Sequence, residues 1–222
     1  NLYRHAGYKM KSVVSLSFQN MLKLTHPFNM IIIGPSLSGK TTFALRLVDN
    51  AQTVIFPLIR KILYCYRDYD KDVLDSYADK MQFHRGMPSI EAFDGSQPSM
   101  LILDDIQEFI DKSVARLFTW VSHHRDLSVV LVTHNLFPKH PAARTVSLNA
   151  HYIVIFKNPR DRNQFRTLAT QMYGGGGRAK FATEAFEDAT RPVNGYLLVD
   201  LKPQTDERFR LRTNIFPNEQ TC

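Results

Sequence analysis

The sequence has little cysteine and no long hydrophobic run. Its two cysteines are Cys65, inside an apolar stretch, and the terminal Cys222. This pair defines no disulfide framework, so a reducing compartment is the default expectation. No apolar run approaches the roughly 20 residues of a membrane span, and residues 1–19 mix basic and apolar positions, unlike a secretory signal. We therefore expect an intracellular protein that is not secreted and has no membrane partner.

Acidic residues are scarce in two parts of the chain. Residues 139–180 contain eight Lys and Arg against one acid, Asp161, and the first 49 residues contain six against one. The other segments are mildly acidic, so these two blocks hold the positive excess behind the formal net charge of +7. Basic blocks attract polyanions such as ATP phosphates or a nucleic-acid backbone. A solvated surface that aids solubility explains the charge equally well.

Short apolar runs alternate with stretches of helical periodicity over most of the chain. This alternation predicts an α/β fold with a mainly parallel sheet flanked by helices. Two later strand-like runs, 195–201 and 209–216, predict a C-terminal strand hairpin at the sheet edge. The glycines at 174–177 are expected to break a helix. The predicted strands are 30–33, 62–66, 81–84, 100–103, 128–133 and 152–156, and the predicted helices are 41–50, 72–80, 106–124, 159–173 and 179–189.

The length of 222 residues is enough for one sizeable core. We predict a single domain at residues 28–217. A basic N-terminal extension would precede it at 1–27, and a short C-terminal tail would follow at 218–222.

Residues 31–43 have the sequence Ile-Ile-Ile-Gly-Pro-Ser-Leu-Ser-Gly-Lys-Thr-Thr-Phe, with the Walker A spacing G-x-x-x-x-G-K-[ST] after a strand-like run. Glycines let backbone N–H groups point at a phosphate, and the following helix adds the positive end of its dipole. Lys40 would reach the β- and γ-phosphates, and Thr41 would place its hydroxyl on Mg²⁺. The alternative is an ordinary glycine turn before a helix. The predicted ligands are ATP and Mg²⁺, and the predicted nucleotide-binding residues are Gly34, Pro35, Ser36, Leu37, Ser38, Gly39, Lys40, Thr41 and Thr42.

A second motif is the strand-like run Met-Leu-Ile-Leu-Asp-Asp at residues 100–105, which resembles Walker B. Side chains alternate along a strand, so Asp104 and Asp105 should diverge. Asp104 would bind Mg²⁺ and Asp105 would orient the attacking water as a base. The alternative for Asp105 is a helix N-cap that forms a capping pair with Glu108, and Glu108 is also the fallback base.

Polar residues follow the apolar run 128–133 as well. Thr133, His134 and Asn135 are candidates for sensing the γ-phosphate or the attacking water, because a strand between the Walker A and Walker B strands is a common place for such a sensor. Taken alone, His134 is better explained as a strand-end histidine bonded to backbone than as a catalytic group.

The basic turn Phe-Lys-Asn-Pro-Arg-Asp-Arg at 156–162 provides a candidate arginine finger. A guanidinium fork stabilises charge on a transferring phosphoryl group, often from a neighbouring subunit. Arg160 is the first choice, and Arg162, Arg144 and Arg125 are rivals. Each could instead be a surface arginine or a DNA-phosphate contact.

Together these motifs resemble the genome-packaging ATPases of the FtsK/HerA superfamily, in particular the poxvirus-type packaging ATPase of Maverick/Polinton elements and adinto-like viruses. The resemblance covers about residues 28–217. The motifs GPSLSGKTT and LILDDI are generic to P-loop NTPases. Three other stretches are specific to this group of packaging ATPases: SHHRDLSVVLVTHNLF, RTVSLNAHYIVIFKNPRDRNQFRTLATQMY and GYLLVDLKP.

This resemblance implies an additional-strand P-loop NTPase core that works as a homo-oligomeric ring, a hexamer or a pentamer. It implies that ATP is hydrolysed between subunits and that double-stranded DNA is moved into a capsid, in a host nucleus or cytoplasm or in association with the virion. It assigns nucleotide and Mg²⁺ binding to Lys40 and Thr41, Mg²⁺ binding to Asp104, and sensing to residues 133–135.

Two residues depart from that pattern. Asp105 occupies a position where the superfamily usually has glutamate, and His134 stands where many relatives have glutamine. A carboxylate about one methylene further from its water implies slow turnover. Two other functions therefore remain open: a P-loop protein whose binding is gated by nucleotide with little hydrolysis, and a small-substrate P-loop kinase.

Overall fold

The computed structural model describes residues 22–67, 71–106, 112–136, 141–217 and 219. Several features named above lie outside these residues. They are residues 1–21 of the extension, Glu108 within the 106–124 helix, Lys139 of the basic block, and residues 218 and 220–222 of the tail.

Parallel strands dominate the described part of the chain. The strands are β1 (Leu24–Thr25), β2 (Asn29–Ile33), β3 (Ile55–Phe56), β4 (Lys61–Tyr66), β5 (Gln82–Arg85), β6 (Ser99–Asp104), β7 (Leu127–Thr133), β8 (Tyr152–Phe156), β9 (Tyr196–Asp200) and β10 (Leu211–Arg212). The main sheet has the order β10-β9-β8-β2-β7-β6-β4-β5, and β1 pairs separately with β3. Strands β8 to β5 are parallel, and β9 and β10 add antiparallel pairs at the β8 edge. The predicted α/β fold with a C-terminal hairpin is confirmed.

Both faces of this sheet are covered, which explains why its central strands are apolar along their whole length. Strands β2, β6, β7 and β8 are buried at every residue. Successive side chains of a strand point to opposite faces. Accordingly, Ile31 and Ile33 join one hydrophobic core cluster, and Met30 and Ile32 join the other.

The helices divide between the two faces. They are α1 (Lys40–Asp49), α2 (Ala51–Val54), α3 (Lys71–Tyr77), α4 (Lys112–Arg116), α5 (Ser122–His124), α6 (Pro141–Leu148), α7 (Asn163–Tyr173) and α8 (Gly176–Ala189); the π-helical turn Leu117–Val121 joins α4 to α5, and 3₁₀ turns lie at Ile90–Ala92 and Glu207–Phe209. Phe43 and Leu47 of α1 pack in one cluster, whereas Phe165 of α7 and Ala182 of α8 pack in the other. We call these the α1 face and the α7 face. In the described residues, no helix is long and apolar enough to cross a bilayer.

The starts of α7 and α8 differ from the sequence prediction by four and three residues, and α3 ends at Tyr77, three residues earlier than predicted. The helix predicted from Pro159 begins only at Asn163, because side chains stabilise a turn before it: Asn158 Oδ1 accepts from the Arg160 N–H at 3.1 Å, and Asp161 Oδ1 accepts from the Asn163 N–H at 3.1 Å. The helix break predicted at Gly174–Gly177 is confirmed only for the first two of these glycines.

Within that glycine run, Gly174 and Gly175 have φ of 68° and 89° and separate α7 from α8, whereas α8 already begins at Gly176. A first helical turn makes few intrahelical N–H bonds, and packing of later residues such as Ala182 holds the helix. Helix α6 has no counterpart in the sequence prediction.

Candidate nucleotide site

The loop between β2 and α1 accepts only glycine at two positions. A Cβ on Gly34 would lie 2.5 Å from Ser38 Oγ and 2.8 Å from Phe156 Cβ, which is too close for any side chain. Gly39 has φ of +100°, a conformation that L-residues rarely adopt, and a Cβ there would lie 3.1 Å from Asn194 Cβ. The loop of residues 34–39 therefore carries no side chain at these two positions, and we call it the bare loop.

The loop has unfilled hydrogen-bonding capacity that fits a phosphate group. Helix α1 begins at Lys40, and its N-cap residue Gly39 has no side chain to accept from the first N–H groups. The buried Oγ of Ser38 has no hydrogen-bond partner among the described residues. Polar donors that are left open around a glycine turn are what anion binding requires.

Lys40 folds back over this loop. Its Nζ donates to the carbonyl oxygen of Pro35 at 2.8 Å, and the residue is only 8% exposed. Burial lowers the pKa of the Lys40 ammonium, and the nearby carboxylates of Asp104 and Asp105 partly oppose that shift. A bound phosphate would add further negative charge beside this buried cation and would favour its protonated form.

Asp104 ends β6 and faces α1. Its Oδ2 accepts hydrogen bonds from Thr41 Oγ1 at 2.8 Å and from the hydroxyl of Tyr64 on the neighbouring strand β4 at 2.5 Å. Asp104 is 9% exposed and Tyr64 is 4% exposed. Burial and the Asp104 charge raise the pKa of Tyr64 well above its usual value, so its hydroxyl stays a donor.

The Thr41–Asp104 pair fits Mg²⁺. A hydroxyl oxygen and a carboxylate oxygen 2.8 Å apart are hard ligands of the kind that Mg²⁺ prefers, and this ion usually takes its other ligands from phosphates and water. The bare loop beside them can hold those phosphates. The residues present therefore suit the predicted metal.

Asp105 turns away from Asp104 and lies close to His134. The backbone of Asp105 has φ of +54°, and its side chain is 59% exposed. Its Oδ1 lies 3.7 Å from His134 Nε2, while His134 Nδ1 lies 3.5 Å from Lys40 Nζ. His134 thus connects the Walker A lysine with the second acid. Asp105 lies beyond the last residue of β6 in a left-handed conformation, so the turn after the strand, and not strand alternation, sets its direction.

Strand β7 lies between β2 and β6 and brings the polar residues that follow it to the same edge. Its last residue, Thr133, accepts through its backbone oxygen from the Gly34 N–H at 3.4 Å. The Thr133 hydroxyl lies 3.4 Å from the backbone oxygen of Asn135 and 3.5 Å from its nitrogen. The strand order thus places Thr133, His134 and Asn135 beside the glycine loop.

Comparison with known proteins agrees with this architecture. No protein-family model and no curated protein sequence matches the chain. Among solved structures, the genome packaging NTPase B204 from Sulfolobus turreted icosahedral virus 2, in complex with ATP-gammaS, matches with a TM-score of 0.50 and 15% identity. The match covers 84% of this chain and 96% of that one. This chain has the fold of a P-loop NTPase.

Of the four arginine candidates, Arg125 is committed to structure. Its Nη1 donates to the backbone oxygens of Ile90 at 3.1 Å and Phe93 at 2.6 Å, which anchors the loop before β6. Arg160 and Arg162 are exposed in the turn after β8, and Arg144 is exposed on α6. These three remain available for contacts outside this chain.

Sequence analysis missed three residues of this region. Tyr64 bonds Asp104, Asn194 packs against Gly39, and Gln164 connects two loops at the sheet edge. The Leu136 N–H donates to Gln164 Oε1 at 3.3 Å, and Gln164 Nε2 donates to Asp161 Oδ2 at 3.0 Å. Gln164 is 8% exposed in an otherwise polar stretch, and only the fold reveals that burial.

Proposed function

We propose that this chain is an ATPase that drives double-stranded DNA into a capsid, working as a homo-oligomeric ring within an infected or element-bearing cell or on the virion. The observation that supports this most directly is the Thr41–Asp104 bond at 2.8 Å. It joins the Walker A helix to the end of the Walker B strand, with a polar sensor strand between them. The likeness to a viral genome packaging NTPase supports the fold on which this proposal depends.

The proposed roles follow from the positions of the side chains. Lys40 and the bare loop bind the phosphates, and Thr41 and Asp104 hold Mg²⁺, which when bound neutralises charge on the β- and γ-phosphates. Asp105 orients the attacking water, because it is the exposed acid at the same strand end.

Two sets of groups would complete this site. Residues 133–135, at the sheet edge beside the loop, sense the γ-phosphate. Arg160, which is exposed in the turn after β8, acts on the nucleotide of a neighbouring subunit.

The test is ATP hydrolysis with and without duplex DNA, with oligomer size measured in the same samples. We expect hydrolysis that rises with DNA, self-association, and loss of turnover in Lys40→Ala. Rates that are indifferent to DNA at low salt would contradict the motor. Equal rates in wild type and Lys40→Ala would contradict hydrolysis at this site.

One observation favours a second function, a nucleotide-gated binding protein with little hydrolysis. Asp105 is shorter than the glutamate of the resembling superfamily, its backbone has φ of +54°, and its Oδ1 lies 3.7 Å from His134 Nε2. In that case ATP would still bind tightly, and Asp105→Asn would leave the slow turnover unchanged. The motor predicts instead that Asp105→Asn lowers kcat by about 10²-fold or more, as loss of a general base does.

A further inference from the structure

A cavity of about 310 Å³ lies on the α7 face, between the turn after β8 and the last turns of α8. Its floor contains Phe165 and Phe186, whose rings stack with centroids 4.5 Å apart. Its walls include the cations Lys157, Arg162 and Arg166. We call it the α7 pocket.

The α7 pocket has an excess of positive charge. None of the ion pairs among the described residues involves Lys157, Arg162 or Arg166, whereas a fourth lining cation, Arg191, pairs with Asp188. Glu187 is the one carboxylate in the lining. Asp161, which directly precedes Arg162, does not form an ion pair with these cations and accepts hydrogen bonds from Gln164 and from the Asn163 N–H. Three cations therefore face one carboxylate, and the pocket favours an anion.

From this geometry we infer that the α7 pocket binds backbone phosphates of duplex DNA, an inference that depends on the proposed function. The planar guanidinium group of arginine can donate two hydrogen bonds to phosphate oxygens. Arg162 and Arg166 are four residues apart and therefore lie on the same side of the start of α7. The aromatic floor offers an apolar surface to the sugar carbons between phosphates. Exposed cations that line an open pocket are the electrostatic footprint expected for a nucleic-acid backbone.

The phosphates of the P-loop nucleotide are the other source of the same chemistry, and the fold argues against them. Thr41, Asp104 and Tyr64 meet on the α1 face, where Tyr64 belongs to the core cluster of that face. Phe165 belongs to the cluster of the opposite face. The side chains that would hold Mg²⁺ and the floor of the α7 pocket thus lie on opposite faces of the sheet, although Phe165 and Phe186 also line a small cavity together with Gly34.

The pocket is nevertheless connected to the nucleotide site. Lys157 directly follows Phe156, the residue that excludes a side chain from Gly34. Gln164 on α7 joins the loop after β7 to the basic turn through its bonds to Leu136 and Asp161. DNA in the pocket would thus contact the turn after β8, which borders the glycine loop and is joined to the loop after β7 through Gln164.

The test compares two double variants of equal charge. Arg162→Gln with Arg166→Gln removes two cations from the α7 pocket. Arg60→Gln with Arg85→Gln removes two exposed arginines next to β4 and from β5, at the opposite edge of the sheet. Binding of a labelled duplex is measured by fluorescence anisotropy over a salt series, and binding of a fluorescent ATP analogue is measured without DNA.

We expect the pocket variant to bind duplex about 60-fold more weakly near 0.1 M salt, with a salt slope shallower by about 2, since each phosphate contact accounts for about 0.9 of slope. The opposite-edge variant should match wild type, and the ATP analogue should bind all three proteins equally. Restoring charge with Arg162→Lys and Arg166→Lys should recover most of the DNA affinity. If the double glutamine variant does not fold, Arg166→Gln alone should lose about 8-fold.

Equal DNA binding by the pocket and opposite-edge variants would overturn the inference. So would weaker binding of the ATP analogue with DNA binding retained, because the pocket would then serve the nucleotide. These outcomes are separate from the fate of the proposed function. A wild-type protein that binds duplex through the pocket but hydrolyses ATP at a rate indifferent to DNA would refute the motor and leave the pocket assignment in place.

Discussion

Tyr64→Phe tests whether the tyrosine on β4 holds the carboxylate of Asp104 in place. The change removes one hydroxyl that donates to Asp104 Oδ2, and Tyr64 is 4% exposed, so water has little access to replace it. A hydrogen bond to a charged group contributes about 1.5–3 kcal/mol. We expect the free energy of unfolding, measured in urea without nucleotide or metal, to fall by about that amount.

The same variant should weaken the response to Mg²⁺. Asp104 would keep Thr41 as a partner, but its carboxylate would be less well oriented. Loss of an outer-shell partner typically costs about 10–100-fold in metal affinity or activity. A Mg²⁺ titration of ATP hydrolysis at fixed ATP should therefore show a half-saturating concentration raised by roughly that factor.

Tyr77→Phe is the matched control. The Tyr77 hydroxyl also donates to a carboxylate, Asp49 Oδ2 at 2.8 Å, but this bond is exposed. Its removal should cost under about 1 kcal/mol, as for exposed polar pairs, and should leave the Mg²⁺ titration unchanged. If Tyr64→Phe and Tyr77→Phe gave the same Mg²⁺ titration, Tyr64 would have no part in orienting the metal ligand.

Three further predictions concern stability and binding. Burial lowers the pKa of Lys202 to about 8 from 10.5, so the unfolded chain binds more protons between these two values. The free energy of unfolding should therefore rise by on the order of 1–2 kcal/mol from pH 8 to 9.5, and urea unfolding of Lys202→Met should lack this rise. Gly34→Ala should lower the free energy of unfolding by about 1–3 kcal/mol through overpacking and should abolish binding of an ATP analogue. The control is Gly177→Ala, where a Cβ meets nothing within 4 Å, and thermal unfolding should show it to be neutral or stabilising. Gln164→Leu leaves the buried Leu136 N–H without its acceptor and should lower the free energy of unfolding by about 1–3 kcal/mol. Unchanged stability would show that the hydrogen bond at 3.3 Å contributes nothing.

The strands were predictable because burial on both faces makes them continuous apolar runs. The strand predicted at 152–156 matches β8 at both ends, and the strand predicted at 128–133 omits only the first residue of β7. Walker A spacing likewise located the loop and the start of α1 to within one residue. These features depend on local sequence, so no tertiary information was needed.

Contacts between distant segments were not predictable in this way. Tyr64 lies 40 residues before Asp104, and their bond exists because β4 and β6 are adjacent in the sheet. A Tyr in an apolar run is usually a core residue, and its hydroxyl partner depends on the strand order. The start of α8 at Gly176 similarly depends on packing of Phe186 against Phe165, which outweighs the low helix propensity of glycine.

The close packing of Gly34 suggests how the two phosphate sites could influence each other. Residue 34 has no room for a side chain, because Phe156 Cβ and Ser38 Oγ both lie against the glycine. If the loop shifts to surround a phosphate, it must therefore displace either Phe156 or Ser38. Ser38 belongs to the loop and moves with it, whereas Phe156 ends β8 and leads directly into Lys157 of the α7 pocket. The ring of Phe156 also packs against Phe43 of α1, with centroids 6.3 Å apart. Phe156→Leu keeps the Cβ beside Gly34 but removes this ring contact with the helix that follows the loop. Phe156→Leu is expected to keep binding of both ligands while reducing the stimulation of hydrolysis by DNA, and stimulation equal to that of wild type would show that coupling takes another route.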